Sequence, residues 1–426
     1  MNKLLLSVLF FLLANNCSFL PKEKSNNKTK KINKTILSKQ LRIEQEFNPE
    51  IEIQISQGIF NTNHPNNQNN IGELEYQGLL AKKAKYKFSK FDDFEYFDAK
   101  PIFYNEKIIY FDNKGTIILY DQNQKIIWKK NFYKKSEKKS RPRLNLANQK
   151  NILIVTDNMA KYYAIDIETG NIIWEKKNNV PFNSDIKVRG DFFYVVDYKN
   201  ILRSISIIDG LVQWSLKTEE SLTKSNTKIS IVTDKKNIYF NNSIGDITAV
   251  NIKTGQLIWQ LPTQSNDIDK NAFQLSNSKL VINQNSIFFS NNKSEFYSID
   301  IETGLINWKN EINSDLRPII IDKFIITISN KGYLYIIDKE LGNILRINAL
   351  LKESKNKKKK PIKPVGFFVG INKIYLTKSD GKLAVINLST GKIIENIKVA
   401  GSKISQPFIN LNKLFLIRNG SIIKFN

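Results

Sequence analysis

The sequence predicts an all-β fold, an eight-bladed β-propeller of four-stranded antiparallel blades, from three observations. One phrase recurs along the chain, written most alike as "AIDIETGNIIW" at 164–174 and "SIDIETGLINW" at 298–308. Short runs rich in Ile, Tyr, Phe and Val, broken by glycine turns, precede the copies, and no long segment of helical periodicity follows residue 45. The marker glycines of successive copies are 38 to 49 residues apart, a period typical of propeller blades.

The repeated phrase has weaker copies at 118–128, 204–214 and 249–259, and copies without tryptophan at 336–346 and 385–395. Its marker glycines are Gly170, Gly210, Gly255, Gly304, Gly342 and Gly391. All five tryptophans of the chain fall at one position of the unit: Trp128, Trp174, Trp214, Trp259 and Trp308. This recurrence favours a structural repeat over a duplicated active site.

Each unit also carries two kinds of turn. The first is a tight hairpin whose glycine supplies a positive φ, as expected at Gly115, Gly245, Gly332, Gly381 and Gly420. The second begins with Asp or Asn, whose side chain accepts hydrogen bonds from the backbone ahead of it; the residues concerned are Asp166, Asn251, Asp300, Asp338 and Asn387. Together these turns predict four antiparallel strands in every unit.

The two ends of the chain are expected to share one blade. Seven units can be counted up to Gly391, and an eighth begins at 413–426 but stops after its third strand. The segment "EIEIQIS" at 50–56 alternates apolar and polar residues, as a half-buried strand does. We expect it to supply the missing strand, so that pairing of the N- and C-terminal strands closes the ring and leaves few open edges. A seven-bladed ring is the alternative.

The phrase "D-x-x-T-G-x-x-x-W" resembles the tryptophan-docking repeat of the PQQ-type propellers over essentially the whole chain after residue 46. This resemblance implies that each tryptophan packs against a turn of the neighbouring blade. An indole buries a large apolar area, so the five tryptophans are interpreted as structural docking residues rather than as a surface for stacking a substrate.

The composition is strongly basic, with 65 Lys and Arg against 40 Asp and Glu and a formal net charge of +25. Lys, Asn and Ile are abundant together, and no nucleic-acid-binding motif accompanies the lysines, so we expect no nucleic-acid partner. The densest basic run, 352–364, lies between the sixth and seventh units. It is interpreted as a solvated loop, or alternatively as a segment attracted to anionic lipid or lipopolysaccharide phosphates.

The N-terminus predicts export and a lipid anchor. Residues 4–14 are an apolar stretch of eleven residues, too short to span a bilayer but suited to a signal peptide. We therefore expect a signal peptide at 1–16, a lipid-anchor site and flexible basic tether at 17–45, and the propeller at 46–426. Cys17, the only cysteine, resembles the acylated first residue of a bacterial lipoprotein, although Asn16 departs from the Gly, Ala or Ser of that pattern. A soluble periplasmic product or an uncleaved anchor is the alternative.

The residues available for catalysis are few, and we expect no enzyme, no cofactor and no metal site. His64 is the only histidine and lies in the Asn-rich segment 61–70, so a histidine-based triad or zinc centre lacks its ligands. The resemblance to PQQ-dependent dehydrogenases would require a pair of adjacent cysteines, and a haem would require C-x-x-C-H. A single cysteine supplies neither.

The signal peptide, the anchor site, the basic tether and the docking repeats together resemble the BamB family of outer-membrane assembly lipoproteins. That resemblance implies a non-catalytic scaffold, anchored at the periplasmic face of the outer membrane, with Ser18 after the cysteine as the arrangement that directs a lipoprotein there. It would bind the POTRA domains of BamA and other subunits of the β-barrel assembly machinery, and help to present unfolded outer-membrane proteins.

The same resemblance points to a partner surface on two connections, 215–230 after Trp214 and 262–274 after Trp259. The implied partner-binding residues are Leu222, Lys224, Asp267 and Asp269, although Thr223 stands where the family pattern has arginine. A second interpretation is that Leu222 packs under its own loop and the aspartates cap a turn. For the whole protein, the alternatives are a quinoprotein-like envelope propeller that binds another protein or a glycan, and a relative of the PQQ-dependent dehydrogenases.

Overall fold

The computed structural model describes residues 53, 76, 78–96, 100–219, 228–263, 276–291, 295–351 and 361–426. In this part of the chain, thirty-two strands form eight four-stranded antiparallel sheets arranged as the blades of a ring. The prediction of an eight-bladed β-propeller is therefore confirmed, and the seven-bladed alternative is wrong. The helical segments among the described residues are short, a 3-10 helix at Phe94–Tyr96 and the α-helix α1 at Lys135–Lys139.

The strands follow one another blade by blade along the chain. Strand β1 (Lys82–Lys87) comes first and belongs to the eighth blade. The first four blades, each given from its innermost to its outermost strand, are β2–β5 (Ile102–Tyr104, Lys107–Phe111, Ile117–Tyr120, Ile126–Lys130), β6–β9 (Leu144–Gln149, Ile152–Asp157, Lys161–Asp166, Ile172–Lys177), β10–β13 (Lys187–Arg189, Phe192–Val196, Ile201–Ser206, Val212–Lys217) and β14–β17 (Ile231–Thr233, Asn237–Asn241, Ile247–Asn251, Leu257–Leu261).

The remaining blades continue in the same order. They are β18–β21 (Val281–Asn283, Ser286–Asn291, Glu295–Asp300, Ile306–Asn310), β22–β25 (Ile319–Ile321, Phe324–Ile328, Tyr333–Asp338, Ile344–Ala349), β26–β29 (Pro364–Val369, Lys373–Lys378, Lys382–Asn387, Ile393–Lys398), and β30–β32 (Phe408–Asn410, Lys413–Arg418, Ser421–Phe425) completed by β1.

The turns form as their residues predict. Asp166 Oδ1 accepts hydrogen bonds from the backbone N–H and the hydroxyl of Thr169, at 2.8 and 2.9 Å. Asp300 holds Thr303 in the same way, at 2.8 Å for both bonds. The glycine that follows each of these turns has a positive φ, 68° at Gly170 and 73° at Gly304. A hydrogen-bonding side chain and a glycine thus fix the local path of the chain between the third and fourth strands.

A recurrent bulge aims each tryptophan. In the second blade Ala164 pairs with Trp174 while Ile165 pairs with Ile172, so one residue of the outer strand is left over just before the tryptophan. The same shift precedes the other four tryptophans. Such a bulge re-aims the side chain that follows it. The residue across from the tryptophan is small in four of the five blades (Ala164, Ser204, Ala249 and Ser298) and is Leu119 in the first.

Each tryptophan lies against the marker glycine of the next blade. The pairs are Trp128–Gly170, Trp174–Gly210, Trp214–Gly255, Trp259–Gly304 and Trp308–Gly342. A Cβ placed on any of these glycines would come within 2.5 to 2.9 Å of the indole, so only glycine fits. Four of the indole N–H groups also donate to a backbone carbonyl of the next blade, at 2.8 to 3.2 Å. In the sixth blade Arg346 takes the tryptophan position, and Asn348 lies against Gly391.

The hydrophobic core lies between the faces of neighbouring sheets. One cluster, for example, combines Tyr194 and Leu202 of the third blade with Ile229, Phe240 and Val250 on the side of the fourth. The second and third strands of the blades are buried on both faces, as in β15, where Ile238, Tyr239 and Phe240 are all fully buried. Each blade therefore forms half of two interfaces and packs stably only between its neighbours.

The strand that closes the ring is not the one expected from the sequence. Strand β1 pairs antiparallel with β32 and forms the outermost strand of the eighth blade, with Tyr86 opposite Ile422. The prediction that 50–56 fills this place is wrong, because β1 occupies that edge. Of 50–56, the structure describes only Ile53, which is buried in a cluster with Phe324 and Ile336 of the sixth blade. The N-terminal strand β1 and the C-terminal strand β32 still pair in one blade, as predicted.

Tyr76 ties the segment before β1 to the C-terminus. Its hydroxyl donates to the backbone carbonyl of Asn426 at 2.7 Å, and its buried ring makes edge contacts with Phe368 and Tyr375 of the seventh blade. Backbone hydrogen bonds from Leu80 to Asn426 and from Asn426 to Ala81 continue the pairing. The closure therefore involves the seventh blade as well as the eighth.

The docking contact can be tested with two glycines of the third blade that both have a positive φ. Gly210 has φ +70° and faces Trp174, whereas Gly190 has φ +58° and no atom within 4 Å of an added Cβ. We expect Gly190→Ala to cost about 1–2 kcal/mol of unfolding free energy from backbone strain, and Gly210→Ala to cost about 1–3 kcal/mol more from overpacking. Urea unfolding measures both. Equal losses would show that the indole contact does not constrain this glycine.

The closing strand can be tested by two truncations. A chain that begins at residue 61 lacks 50–56, and a chain that begins at residue 88 also lacks β1. We expect the first to remain folded, with a modest loss from removal of Ile53, and the second to aggregate because the edge of β32 and its apolar face become exposed. Size-exclusion chromatography and thermal unfolding distinguish the two. Aggregation of the first chain, or a monodisperse second chain, would contradict the assignment of β1.

Candidate functional site

The connections between blades emerge on one face of the ring. In every blade the second and third strands are joined on one side of the ring. The innermost strand starts on that side, and the outermost strand ends on it. We call this side the connection face, and the opposite side, which carries the docking turns, the turn face. The segments 215–230 and 262–274 leave β13 and β17, on adjacent blades, and both lie between strand ends on the connection face. The ends of the lysine-rich segment 352–364 lie on the same face.

The structure describes residues 215–219 and 228–230 of the first connection and residues 262–263 of the second. Leu222, Lys224, Asp267 and Asp269 lie outside the described residues, as does Cys17. Their proposed roles therefore remain predictions. The five docking tryptophans are all described and lie towards the turn face, away from the connections.

The start of the first connection is held by Asn200, in the turn between β11 and β12. Asn200 is fully buried and has φ +54°, a conformation that Asn tolerates better than most residues. Its backbone carbonyl accepts a bond from the Thr218 N–H at 3.1 Å, and its side-chain Nδ2 donates to the Glu219 carbonyl at 2.6 Å. The same Nδ2 donates to Ser243 Oγ at 2.8 Å in the fourth blade. One side chain thus joins the connection to the next blade.

The start of the second connection is held by the turn that includes Ser243. Thr263, the last described residue before the undescribed part, donates from Oγ1 to the Gly245 carbonyl at 2.7 Å. Beside it, Gln260 Nε2 donates to the buried carboxylate of Asp246 at 2.7 Å, and burial raises the pKa of Asp246. The two connections are therefore linked through a continuous set of hydrogen bonds at their bases.

A funnel opens at the centre of the connection face. Its outer part is a cavity of about 960 Å³, and a second cavity of about 470 Å³ shares Tyr96, Ser276 and Asp315 with it. Tyr96 is 86% exposed. Lys228 and Ser276 are the first described residues after the undescribed parts of the two connections, and both line this funnel. The face thus combines a concave centre with two adjacent connections at its border.

The inner end of the funnel contains a group of basic side chains that the sequence did not indicate. Lys100, Lys187, Lys228, Lys279 and Arg317 line a small cavity there together with Asp185. A repeat alignment could have pointed to Lys187, since other blades have an apolar residue at its position, but the remaining members come together only across the ring.

The described residues contain no group of three or more His, Cys, Asp or Glu side chains placed to hold a metal ion. None of the helices within those residues is long and apolar enough to cross a membrane. Chemically, the described part of the connection face offers a shaped and hydrogen-bonded surface with a concave centre. The arrangement suits binding.

The fold and the docking contacts define a class of protein, the tryptophan-docking propellers built from PQQ-like repeats. A family model described as "Outer membrane protein assembly factor BamB" matches residues 113–348, more than half of the chain. The chain belongs to this family. No curated protein sequence matches it significantly.

Solved structures show the same fold at low sequence identity. BamB from Moraxella catarrhalis is 14% identical, with a TM-score of 0.66, over 82% of this chain and 100% of that one. The computationally designed Ika8 protein is 12% identical, with a TM-score of 0.60, over 83% and 99%. The quinohemoprotein alcohol dehydrogenase ADHIIG from Pseudomonas putida HK5 is 12% identical, with a TM-score of 0.56, over 83% and 77%. At these identities the likeness establishes the fold alone.

Proposed function

We propose that this protein is a non-catalytic scaffold lipoprotein of the outer-membrane β-barrel assembly machinery. The observation that carries the proposal is membership of the BamB family, matched over residues 113–348. A rigid ring with a concave connection face is well suited to a scaffold, because the connections can vary while the strands hold their ends in place. In this role the protein binds the POTRA domains of BamA and other subunits, and assists insertion of unfolded outer-membrane proteins.

The proposed contact surface is formed by the two connections whose bases are linked through Asn200 and Ser243. Leu222 is the apolar anchor, with Lys224, Asp267 and Asp269 as its charged border, an arrangement common at protein interfaces. The linkage of the two bases supports this proposal, because a partner that contacts both connections loses less conformational entropy when their ends are already fixed.

The proposed location is the periplasmic face of the outer membrane. Residues 1–16 are removed as a signal peptide, Cys17 carries the lipid, and the tether that follows it joins the anchor to the propeller. A single acyl chain gives only marginal membrane binding, whereas several chains hold a protein stably, so acylation of Cys17 determines whether the protein stays at the membrane.

A second candidate is a quinoprotein-like envelope propeller with a different ligand. The fold shared with a quinohemoprotein alcohol dehydrogenase and the funnel at the ring centre favour it. Co-purification separates the two candidates, because the scaffold should bring BamA with it, whereas the second candidate should bring a different protein or a glycan.

The contact surface can be tested by pull-down of BamA POTRA domains. We expect Leu222→Ala and the double variant Asp267→Ala/Asp269→Ala each to weaken binding by about tenfold or more, as loss of an interface anchor does. Matched controls on the turn face are Leu341→Ala and Glu302→Ala/Glu340→Ala, whose residues are all exposed. The controls should bind as the wild type does.

Two different results would count against different parts of the proposal. Full binding by both folded connection variants would exclude this surface but leave the scaffold function intact. Absence of BamA binding by the wild type would contradict the scaffold function itself.

The anchor can be tested by metabolic labelling with a fatty acid. We expect the wild type to be labelled and to sediment with membranes, and Cys17→Ser to be unlabelled and soluble in the periplasm, because the thiol is the acylation site. Ser18→Ala is the control and should remain labelled. A wild type that is soluble and carries no label would rule out the lipoprotein.

A further inference from the structure

Lys187 occupies a position that is apolar in other blades. It lies on β10, the innermost strand of the third blade, and pairs with Tyr194, the third residue of the next strand. The equivalent pairs in the first, fifth and sixth blades place Ile102, Val281 and Ile319 there, and all three are buried. Lys187 is only 4% exposed, and its Nζ has no hydrogen-bond partner among the described residues.

Basic side chains from four other blades surround this lysine. Lys100, Lys228, Lys279 and Arg317 come from the segments just before the innermost strands of the first, fourth, fifth and sixth blades. Among the described residues, Asp185 is the only carboxylate that lines the cavity with them. Its Oδ2 accepts from Lys100 Nζ at 2.7 Å and from Lys279 Nζ at 2.8 Å, so its single charge is already shared by two lysines.

Among the described residues, the cluster therefore holds more positive than negative charge, and Lys187 is its buried cation. Burial lowers the pKa of Lys187 well below its ordinary value, and the charges of Arg317, Arg189 and Lys100 lower it further, against the opposing effect of Asp185. Burial also lowers the pKa of Arg317 to about 10. Although burial raises the pKa of Asp185, the charges of Lys100, Lys279 and Lys228 hold it well below its usual value. An unpaired buried ammonium destabilises a fold. A bound anion beside Lys187 would therefore stabilise this arrangement.

The cavity at the cluster fits a small ion that arrives through the funnel. Its volume is about 60 Å³, several times the space that one water needs. It shares Leu144, Asn145, Lys228 and Lys279 with the adjoining cavity of the funnel. Lys100 and Lys279 are about a quarter exposed, so the cluster is accessible to solvent.

We propose that this cluster is a binding site for a tetrahedral oxyanion of the phosphate type, either the free ion or the phosphate group of a larger molecule. Cationic groups that converge from five blades match an ion with oxygen atoms directed to several sides, whereas a planar carboxylate presents its oxygens on one side. Lys187 supplies the donor that has no hydrogen-bond partner among the described residues. The site does not depend on the assembly function proposed above.

The first experiment titrates the full-length protein with inorganic phosphate by calorimetry, with chloride keeping the ionic strength constant. We expect one saturable site, and a melting temperature that rises with phosphate relative to chloride. Glycerol 3-phosphate and acetate are titrated in parallel. Binding of phosphate alone identifies the free ion as ligand, and equal binding of glycerol 3-phosphate identifies a phosphate group. Absence of saturable binding of either, or tighter binding of acetate, would overturn the proposal.

The second experiment replaces the unpartnered lysine. Lys187→Met restores the apolar pattern of the other blades, and Lys253→Met makes the same change on the exposed turn face. We expect Lys187→Met to weaken phosphate binding by about tenfold or more, since a hydrogen bond to a charged group contributes at least that factor, and to melt higher than the wild type in chloride. Lys253→Met should bind as the wild type does. Unchanged phosphate affinity in a folded Lys187→Met would contradict the assignment.

The third experiment measures the affinity of the protein for sulfate as a function of pH. Sulfate is used because its charge does not change across the neutral range. The groups that face Lys187 are Asp185, Arg189, Lys100, Lys228, Lys279 and Arg317. An anion beside Lys187 favours its ammonium form, so binding takes up a proton and the affinity falls as the pH rises. Lys187→Met should lose this dependence. A wild-type affinity that is constant with pH would show that Lys187 does not bind the anion.

Discussion

The contact between an indole and the neighbouring blade's glycine is the interaction on which the ring depends. Each tryptophan buries roughly 150–250 Å², an upper bound of about 4–6 kcal/mol, and it joins one blade to the next. The bulge before Trp174, the small residue Ala164 opposite it, and Gly210, which it contacts, all serve this contact. Because the contact lies between blades, no blade is stable by itself, and the ring must close to be stable.

Docking through the turn face leaves the connection face free for binding. The turns at Asp166 and Asp300 are fixed by their own hydrogen bonds and by the indoles above them, so their residues have little freedom to vary. The connections after β13 and β17 start on the opposite face, where Asn200 holds the base of the first and the turn that includes Ser243 holds the base of the second. The same rigidity makes it possible to keep Lys187 buried without a hydrogen-bond partner among the described residues, since the surrounding strands cannot rearrange to expose it.

The repeated pattern explains which parts of the fold could be predicted and which could not. The turns with Asp166 and Gly170 and the position of the tryptophans follow from local chemistry, and their prediction was correct. The prediction of the closing strand was wrong. An alternating pattern shows that a segment can pair as a strand, but it does not show which sheet edge the segment pairs with. The segment 50–56 alternates more clearly than β1, where Ala84 and Tyr86 are buried between lysines. The edge of β32 is filled by the segment that leads directly into the first blade.

The candidate site also combines features that the sequence predicts with features that it does not. The sequence by itself determined the blade, the turns, the docking positions and the connections that follow Trp214 and Trp259, because each depends on residues a few positions apart. Only the tertiary structure decided that β1 closes the ring, that Asn200 links two connections, and that Lys100, Lys187 and Lys279 meet around Asp185. The physical reason is distance: these groups come from blades far apart in the chain, and closure of the ring alone brings them together at its axis.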